Sequence, residues 1–413
     1  MITFEPGMRI HFVGIGGVSM SALAELMLKR GYTVSGSDRQ ASELTDRLAG
    51  LGIRVHIGHS PENLGDAEAV IYTSAATRDN PELQAAEECG IPSQRRAELI
   101  RELTRNQRVV GVAGTHGKTT TTAMVGALLA AAGSDPTVLV GGVVRGPESN
   151  LRVGRSPLWV IEADEFDRSF LALRPEVAVV TSLEADHLDC YSDLTDIREA
   201  FVDFVGLLPQ GGSGVLWADD PQVRDLPLSE GVERVLYGTA EDADLRAEQI
   251  EHEGFGSRFR VSDRRRELGT LNLRVPGPHN VANAMAAVGV GRVLGVSWEA
   301  MRSGLEGFQG VHRRFEVLGK AREVTVVSDY AHHPTEIEAT LAAARGARDG
   351  RVLAAFQPHL YSRTRDFSHA FGRALSGADR VFVTDVYAAR EEPIAGVSGR
   401  LVAESVPDPV STC

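Results

Sequence analysis

Residues 111–122 read GVAGTHGKTTTT. A phosphate-binding loop of the common form G-x-x-x-x-G-K-[ST] needs a glycine five places before Gly117, and that place holds Val112. The glycines present are Gly111, Gly114 and Gly117. The apolar run 109–112 predicts a strand entering the loop, and Thr119 onward predicts a helix leaving it. A strand–glycine loop–helix unit aims backbone N–H groups and a positive helix end at one point, which suits a nucleotide triphosphate. Lys118 would then reach the β- and γ-phosphates, and the Thr119 hydroxyl would coordinate Mg²⁺. The bland alternative is a glycine-rich turn before a threonine-rich helix.

Working outward, PLWVIEAD (157–164) predicts a strand with Glu162 at its carboxyl end, and EVAVVTSLEADHLD (176–189) another with His187 beyond it. Ligands of open α/β sheets gather outside the carboxyl ends of the strands. Thr119, Glu162 and His187 are therefore candidate magnesium ligands, with His187 the less orthodox donor for an oxygen-seeking ion. Asp164, Glu165, Asp167, Glu184, Asp186 and Asp189 read mostly as solvated loop acids.

Strand and helix patterns alternate along the 413 residues, which predicts α/β layers with mostly parallel sheets. The pattern restarts at MRIHFVGIGG (8–17), QRVVGVAGTHGK (107–118) and EVTVVSDYAHHP (323–334). Boundaries are placed near residues 107 and 312, where RNQR and FQGVHRR read as polar linkers. Three domains result: 1–107, Rossmann-like; 108–311, P-loop ATPase-like; and 312–413, Rossmann-like but short. No apolar run approaches the ~20 residues of a membrane helix, and no secretory signal opens the chain. Three cysteines argue against a disulfide framework and point to the cytoplasm. The net charge of −13 argues against a nucleic-acid surface. Only three lysines occur, Lys29, Lys118 and Lys320, and one of them sits in the phosphate loop.

GIGGVS (14–19), with Asp38 about 20 residues on, mimics a dinucleotide fingerprint, except that Ser19 stands at the third glycine. An NAD-dependent dehydrogenase is thus a second functional class, but it leaves Lys118 and Thr119 without a role. A UDP-sugar would use the same loop physics. A non-catalytic nucleotide-binding relative is a third reading.

The loop GTHGKTTT, together with EADEFDRSFL (162–171), EADHLD (184–189), HNVANA (279–284), HRRFE (312–316), DYAHHPTEI (329–337) and QPHLYSRTRD (357–366), resembles the Mur ligase family in content and order. In that family Val112 is part of a variant loop. HFVGIGGVSMSALAE (11–25) and DYAHHPTE most resemble the branch that joins L-alanine to UDP-N-acetylmuramate; the branch that recycles murein tripeptide is the runner-up. The resemblance implies ATP bound by Gly114, Thr115, His116, Gly117, Lys118 and Thr119. It implies Asn283 at the adenine, with His279 and Asn280 nearby, and Arg314 at the γ-phosphate. Asp329, Tyr330, His332, His359 and Arg363 would line the third-domain side of the cleft. Gly14, Gly16, Gly17, Ser19 and Asp38 would hold the UDP part, with His59, Thr73 and Ser74 as weaker candidates. His332 is either a base or a substrate-orienting group. Leu360 stands where this branch often has arginine, and no lysine lies between Lys118 and Lys320 to be carbamylated as in other branches. The family's third domain spans roughly 130–150 residues. Its last strand, glycine loop and closing helix are not recognisable here, so a truncated, less stable third domain is expected. Oligomeric state is not legible.

Overall fold

The computed structural model describes residues 2, 4–185, 190–347, 350–389, 391–407 and 411–412. The apolar run before the phosphate loop forms the strand Arg108–Ala113, which lies inside a ten-stranded sheet. Its parallel neighbours are Leu158–Glu162 and Val177–Val180. Val109, Val110 and Val112 are all buried, as expected of a parallel strand covered on both faces. This explains the missing glycine: position 112 is inside the strand, paired with Glu162 and Val179, and the loop proper begins at Gly114.

Beyond Val177–Val180 the sheet continues in parallel through Ser213–Trp217, Glu233–Gly238 and Leu245–Glu253. It then turns antiparallel in Gly256–Asp263 and Arg266–Leu273. On the other side, Thr137–Val144 pairs parallel with Leu158–Glu162 and carries the antiparallel edge Ser149–Arg152. The antiparallel margins depart from the simple alternation expected from sequence.

Helices Lys118–Ala131, Pro278–Val293 and Trp298–Glu306 pack on one face of this sheet, around Met124, Leu128, Met285 and Leu305. Helix Leu194–Gly206 covers the other face. Its Phe204 stacks on Phe170 with centroids 4.9 Å apart, and a Cβ at Gly111 would lie 3.2 Å from its ring. The core thus reaches the strand that carries the loop.

Residues 9–95 form a separate five-stranded parallel sheet. Arg9–Val13 lies between Thr33–Asp38 and Ala69–Tyr72, with Arg54–Ile57 and Ser93–Arg95 at the edges. Asn150 Nδ2 donates to Val18 O at 2.6 Å, tying this layer to the central sheet. The stretch FQGVHRR is no free linker. Phe308 and Val311 are buried, and Val311 bridges to Val144.

EVTVVS forms the strand Val324–Ser328, but as an antiparallel hairpin with Glu316–Ala321. The last sheet contains Leu353–Phe356, Arg380–Val383 and Ser411–Thr412, all parallel. The strand Ser411–Thr412 joins the two that the sequence pattern showed, RVLAAF and DRVFVTDVY. Helices Pro334–Ala347, Tyr361–Leu375 and Gly399–Ala403 surround a small core of Ile337, Leu341, Phe371 and Val402. Among the described residues no helix is long and apolar enough to cross a membrane.

One buried polar network organises the first sheet. Glu82, fully buried, accepts the Ser37 hydroxyl at 2.5 Å and Asn63 Nδ2 at 2.6 Å, and lies 3.8 Å from His11 Nε2. Burial opposes its ionisation, but contacts with His11, Ser37 and Asn63 outweigh that and bring its pKa down to about 2. A carboxyl depressed on folding stabilises the fold above its unfolded pKa and loses that contribution as pH falls through its folded pKa. Protection of the Arg9–Val13 amides from hydrogen exchange should therefore decline between about pH 4.5 and pH 2. Glu82→Gln should flatten this decline and lower the protection at neutral pH by up to about 3 kcal/mol. An unchanged pH profile in Glu82→Gln would exclude the carboxylate as its source.

Candidate active site

The phosphate loop is shaped by two glycines. Gly117 has φ +82° and a Cβ there would lie 2.5 Å from Asn283 Oδ1; Gly114 has φ +138° and a Cβ there would lie 2.0 Å from Thr181 Oγ1. The loop is laced to the next strand end. Thr115 N donates to Ser182 O at 3.0 Å, His116 N to Ser182 Oγ at 2.8 Å, and the Thr181 hydroxyl donates to His116 O. Helix Lys118–Ala131 starts at once, and first-turn N–H groups of an α-helix have no partner within it.

Lys118 curls back over the loop. Its ammonium donates to Gly114 O (2.6 Å), Thr115 O (3.1 Å) and Glu165 Oε1 (2.8 Å). Burial disfavours the charge, but the carboxylates of Glu165, Asp164 and Glu162 outweigh burial and raise the lysine pKa. Glu165 is buried, not a solvated loop acid, and burial pushes its carboxyl up to about 7 against the pull of Lys118. Glu162, at its strand end, accepts the Thr119 hydroxyl at 2.9 Å and Gly141 N at 2.6 Å. Burial raises its pKa as well. Thr119 and Glu162 are thus brought together as expected; His187, the third expected metal ligand, lies outside the described residues.

A cavity of about 460 Å³ opens beside the loop. It is lined by Trp217, Tyr237, His279, Asn280 and Asn283. Asn283 Oδ1 accepts the Thr121 hydroxyl at 3.1 Å, and its Nδ2 donates to Asn280 Oδ1 at 3.2 Å. Burial and the nearby Arg314 lower the His279 pKa to about 4, so its ring is neutral. A second cavity of about 120 Å³ adjoins the loop, bounded by Lys118, Thr119, Glu162, Arg314, His332 and Glu336.

Glu336 joins the two sides of this cleft. It lies in the first turn of helix Pro334–Ala347, where a carboxylate complements the positive helix end. It accepts His332 N (2.9 Å) and His333 N (3.3 Å), and it approaches Arg314 Nη1 at 3.4 Å and His116 Nδ1 at 3.3 Å. Burial opposes its charge, but His332, His116 and Arg314 hold it well below the usual carboxylate range. Burial would also lower the His116 pKa; instead Glu184 and Glu336, on its two nitrogens, raise it to about 9. Asp329 braces the junction by accepting Phe315 N and Ala331 N, each at 2.7 Å. Tyr330, His332 and His359 form a ring cluster, with Arg363 Nη1 3.4 Å from His359 Nδ1. Leu360 is buried at φ +69° in the turn that starts the helix carrying Arg363.

The first-sheet residues form a separate rim. Gly14 N and Ile15 N donate to Ser37 O at 2.9 Å, and Gly16 N donates to Asp38 Oδ2 at 2.9 Å. Asp38 therefore supports the loop itself. Gly17 caps helix Val18–Lys29, whose first turn holds Ser19. His59 Nδ1 is 3.0 Å from Ser37 Oγ and 3.2 Å from Glu82 Oε2. Thr73 and Ser74 follow the strand Ala69–Tyr72. Sequence reading missed Glu184, Glu336 and His333, and it missed Trp217 and Tyr237 altogether. The doublet of histidines and the acid in HHPTE were the signals available for His333 and Glu336, and Glu184 stands first in EADHLD.

The residues fit a nucleotide triphosphate and a divalent cation. Added methyl groups would fill the glycine cradle, and a half-buried carboxylate and a hydroxyl face each other beside the lysine. Family models match residues 9–108 (Mur ligase family, catalytic domain), 112–291 (Mur ligase middle domain) and 313–411 (Mur ligase, glutamate ligase domain). A UDP-N-acetylmuramate–L-alanine ligase from Salinibacter ruber is 50% identical, over 96% of this chain and 84% of that protein. One from Geotalea daltonii is 45% identical over 96% and 87%. The crystal structure of UDP-N-acetylmuramate-alanine ligase from Thermotoga maritima superposes with a TM-score of 0.85 at 32% identity, over 98% of this chain and 90% of that one. A murein peptide ligase from Psychrobacter arcticus gives a TM-score of 0.76 at 26% identity, over 98% and 91%. With this cleft and these matches along nearly its whole length, the chain belongs to the Mur ligase family.

Proposed function

We propose that the chain is an ATP-dependent ligase that joins the lactyl carboxylate of UDP-N-acetylmuramate to the amine of L-alanine. The observation that carries this reading is the convergence of Lys118, Thr119 and Glu162 from one side and Arg314 and His332 from the other on a single small cavity. The similar chains from Salinibacter ruber and Geotalea daltonii favour L-alanine over murein tripeptide. We assign three domains, 1–107, 108–311 and 312–413, with the cleft between the second and third.

A carboxylate is a poor electrophile, so its oxygen must first attack the terminal phosphorus of ATP, giving an acyl phosphate and ADP. Lys118 and Arg314 stabilise charge on the transferring phosphoryl group. Thr119 and Glu162, with His187, would hold Mg²⁺, which supplies further charge neutralisation on the phosphate oxygens when bound. Asn283 and the aromatic walls Trp217 and Tyr237 take the nucleoside. The alanine amine then attacks the acyl carbon, the proton leaves the nitrogen, and phosphate departs. His332, which bounds the small cavity from the third-domain side, either accepts that proton or orients the substrate. Its Nδ1 is 2.8 Å from Tyr330 O and 3.3 Å from Glu336 Oε2, both of which only accept, so Nδ1 carries a proton and the ring is held in one orientation. Asp329, Tyr330, His359 and Arg363 line the same side. Gly14, Gly16, Gly17, Ser19, Asp38, His59 and Ser74 take the UDP part, at the carboxyl ends of the first sheet's strands.

Phosphate release should require both UDP-N-acetylmuramate and L-alanine, with glycine, L-serine and murein tripeptide much poorer; faster turnover with the tripeptide would overturn the alanine assignment. Lys118→Ala should lower kcat by about 10²–10³-fold, the scale of losing one transition-state clamp, while circular dichroism shows the fold kept. Near-normal turnover in that variant excludes the role given to the lysine. Glu162→Gln should raise the Mg²⁺ concentration needed for half-maximal rate more than it raises the KM of either organic substrate, and an unaltered metal requirement counts against its assignment.

A further inference from the structure

A cluster to which the two chemical steps above give no proton or phosphoryl transfer lies where the loop meets the third-domain helix. His116, Glu184 and His333 each place one donor atom within 4.8 Å of the others. His116 comes from the phosphate loop, Glu184 from beyond the strand Val177–Val180, and His333 from the turn before helix Pro334–Ala347. We propose that these three side chains form a binding site for one transition-metal ion of the zinc class, which staples the third-domain helix to the phosphate loop.

The spacing is the first argument. His116 Nε2 is 3.6 Å from Glu184 Oε2, and His333 Nδ1 is 3.7 Å from the same oxygen. Both are too long for a hydrogen bond. They are close to the ~3.3 Å that separates two donors on one tetrahedral ion with bonds of about 2.0–2.1 Å. His116 Nε2 is buried and has no hydrogen-bond partner among the described residues.

The donor set is the second argument. Two imidazoles and one carboxylate, with a fourth position left for water or substrate, are a zinc-type combination. Mg²⁺ prefers oxygen donors, so this is not a second magnesium site. The third argument is the backing of the donors. Glu336 Oε1 lies 3.3 Å from the other nitrogen of His116, and the Thr335 hydroxyl donates to Glu184 Oε2 at 2.6 Å. Carboxylates and hydroxyls placed behind metal ligands orient them and raise affinity.

Because the ligands come from both walls of the cleft, a bound ion holds it shut. In the ligase reading, zinc should therefore inhibit by slowing nucleotide exchange, and excess Mg²⁺ should not relieve it. That consequence rests on the proposed function; binding itself is measured without any substrate. The full chain, stripped of metal, should take up one Zn²⁺ in competition with a chromogenic chelator. Co²⁺ in its place should give the visible bands of a tetrahedral site. His333→Asn should weaken this binding by 100-fold or more, and Glu184→Gln should alter the Co²⁺ spectrum. Thermal unfolding of each variant without metal checks that the fold is kept. No stoichiometric uptake, or uptake of equal affinity in a folded His333→Asn, would overturn the proposal. Loss of zinc inhibition alone, with binding intact, would instead count against the ligase reading of the cleft.

Discussion

One carboxylate, Glu336, holds the seam on which the cleft depends. It accepts two N–H groups of the turn that leads into its own helix and faces Arg314 and His116, which come from the junction and the phosphate loop. A buried ion pair of this kind adds little net stability compared with an apolar contact of the same shape. Removing one partner is costly, because the other charge is left buried alone. The network therefore acts less as glue than as a register device. It fixes which face of the third-domain helix meets the loop. It also keeps a guanidinium and an imidazole beside the cavity where a terminal phosphate would sit, so the positive charge needs little rearrangement when that phosphate arrives.

The phosphate loop was legible because its signal is local. A valine run, two glycines in conformations that side chains avoid, and a lysine at a helix start lie within ten residues. Val112 looked anomalous only while the loop was taken to begin five places before Gly117, a place that lies inside the strand. Glu162 was legible for the same reason, as an acid at the carboxyl end of an apolar strand. The antiparallel margin of the central sheet was not. Its strands Leu245–Glu253 and Arg266–Leu273 are rich in charge and partly exposed, and their pairing is decided by neighbours rather than by composition. The hairpin Glu316–Ala321 with Val324–Ser328 was hidden similarly, since EVTVVS reads alike in a parallel or antiparallel setting.

The parts of the site that sequence did not yield all depend on long-range contact. Thr335 and Glu184 are 151 residues apart, and Lys118 and Glu165 are 47 apart. Glu165 and Glu184 each sit among several acids in a loop, and nothing in their spacing separates the buried from the solvated. Trp217 and Tyr237 lie at or next to the ends of ordinary strands and became cavity walls because the sheet places adjacent strand ends side by side. The segment 308–314 misled through composition. Its arginines and histidine read as a linker, while Phe308 and Val311 anchor it to the central sheet.

The state of Lys118 bears on how the loop receives a ligand. Its ammonium is already out of bulk water, held by two loop carbonyls and Glu165. A lysine that approached a phosphate from solvent would lose its hydration in the same step. Here that desolvation accompanies folding, and binding requires only an exchange of one anionic partner for another. Such an exchange is cheap when both partners lie within a short swing of the side chain. The two carbonyl contacts can persist throughout, because they restrain the nitrogen from the side of the loop. Glu165 thus serves the loop by keeping a buried cation charged and in place until a phosphate competes for it. An alanine there would leave the lysine nearer to solvent, and a longer-range acid would hold it less firmly. This accounts for a buried carboxyl among residues whose chemistry would otherwise favour only positive charge.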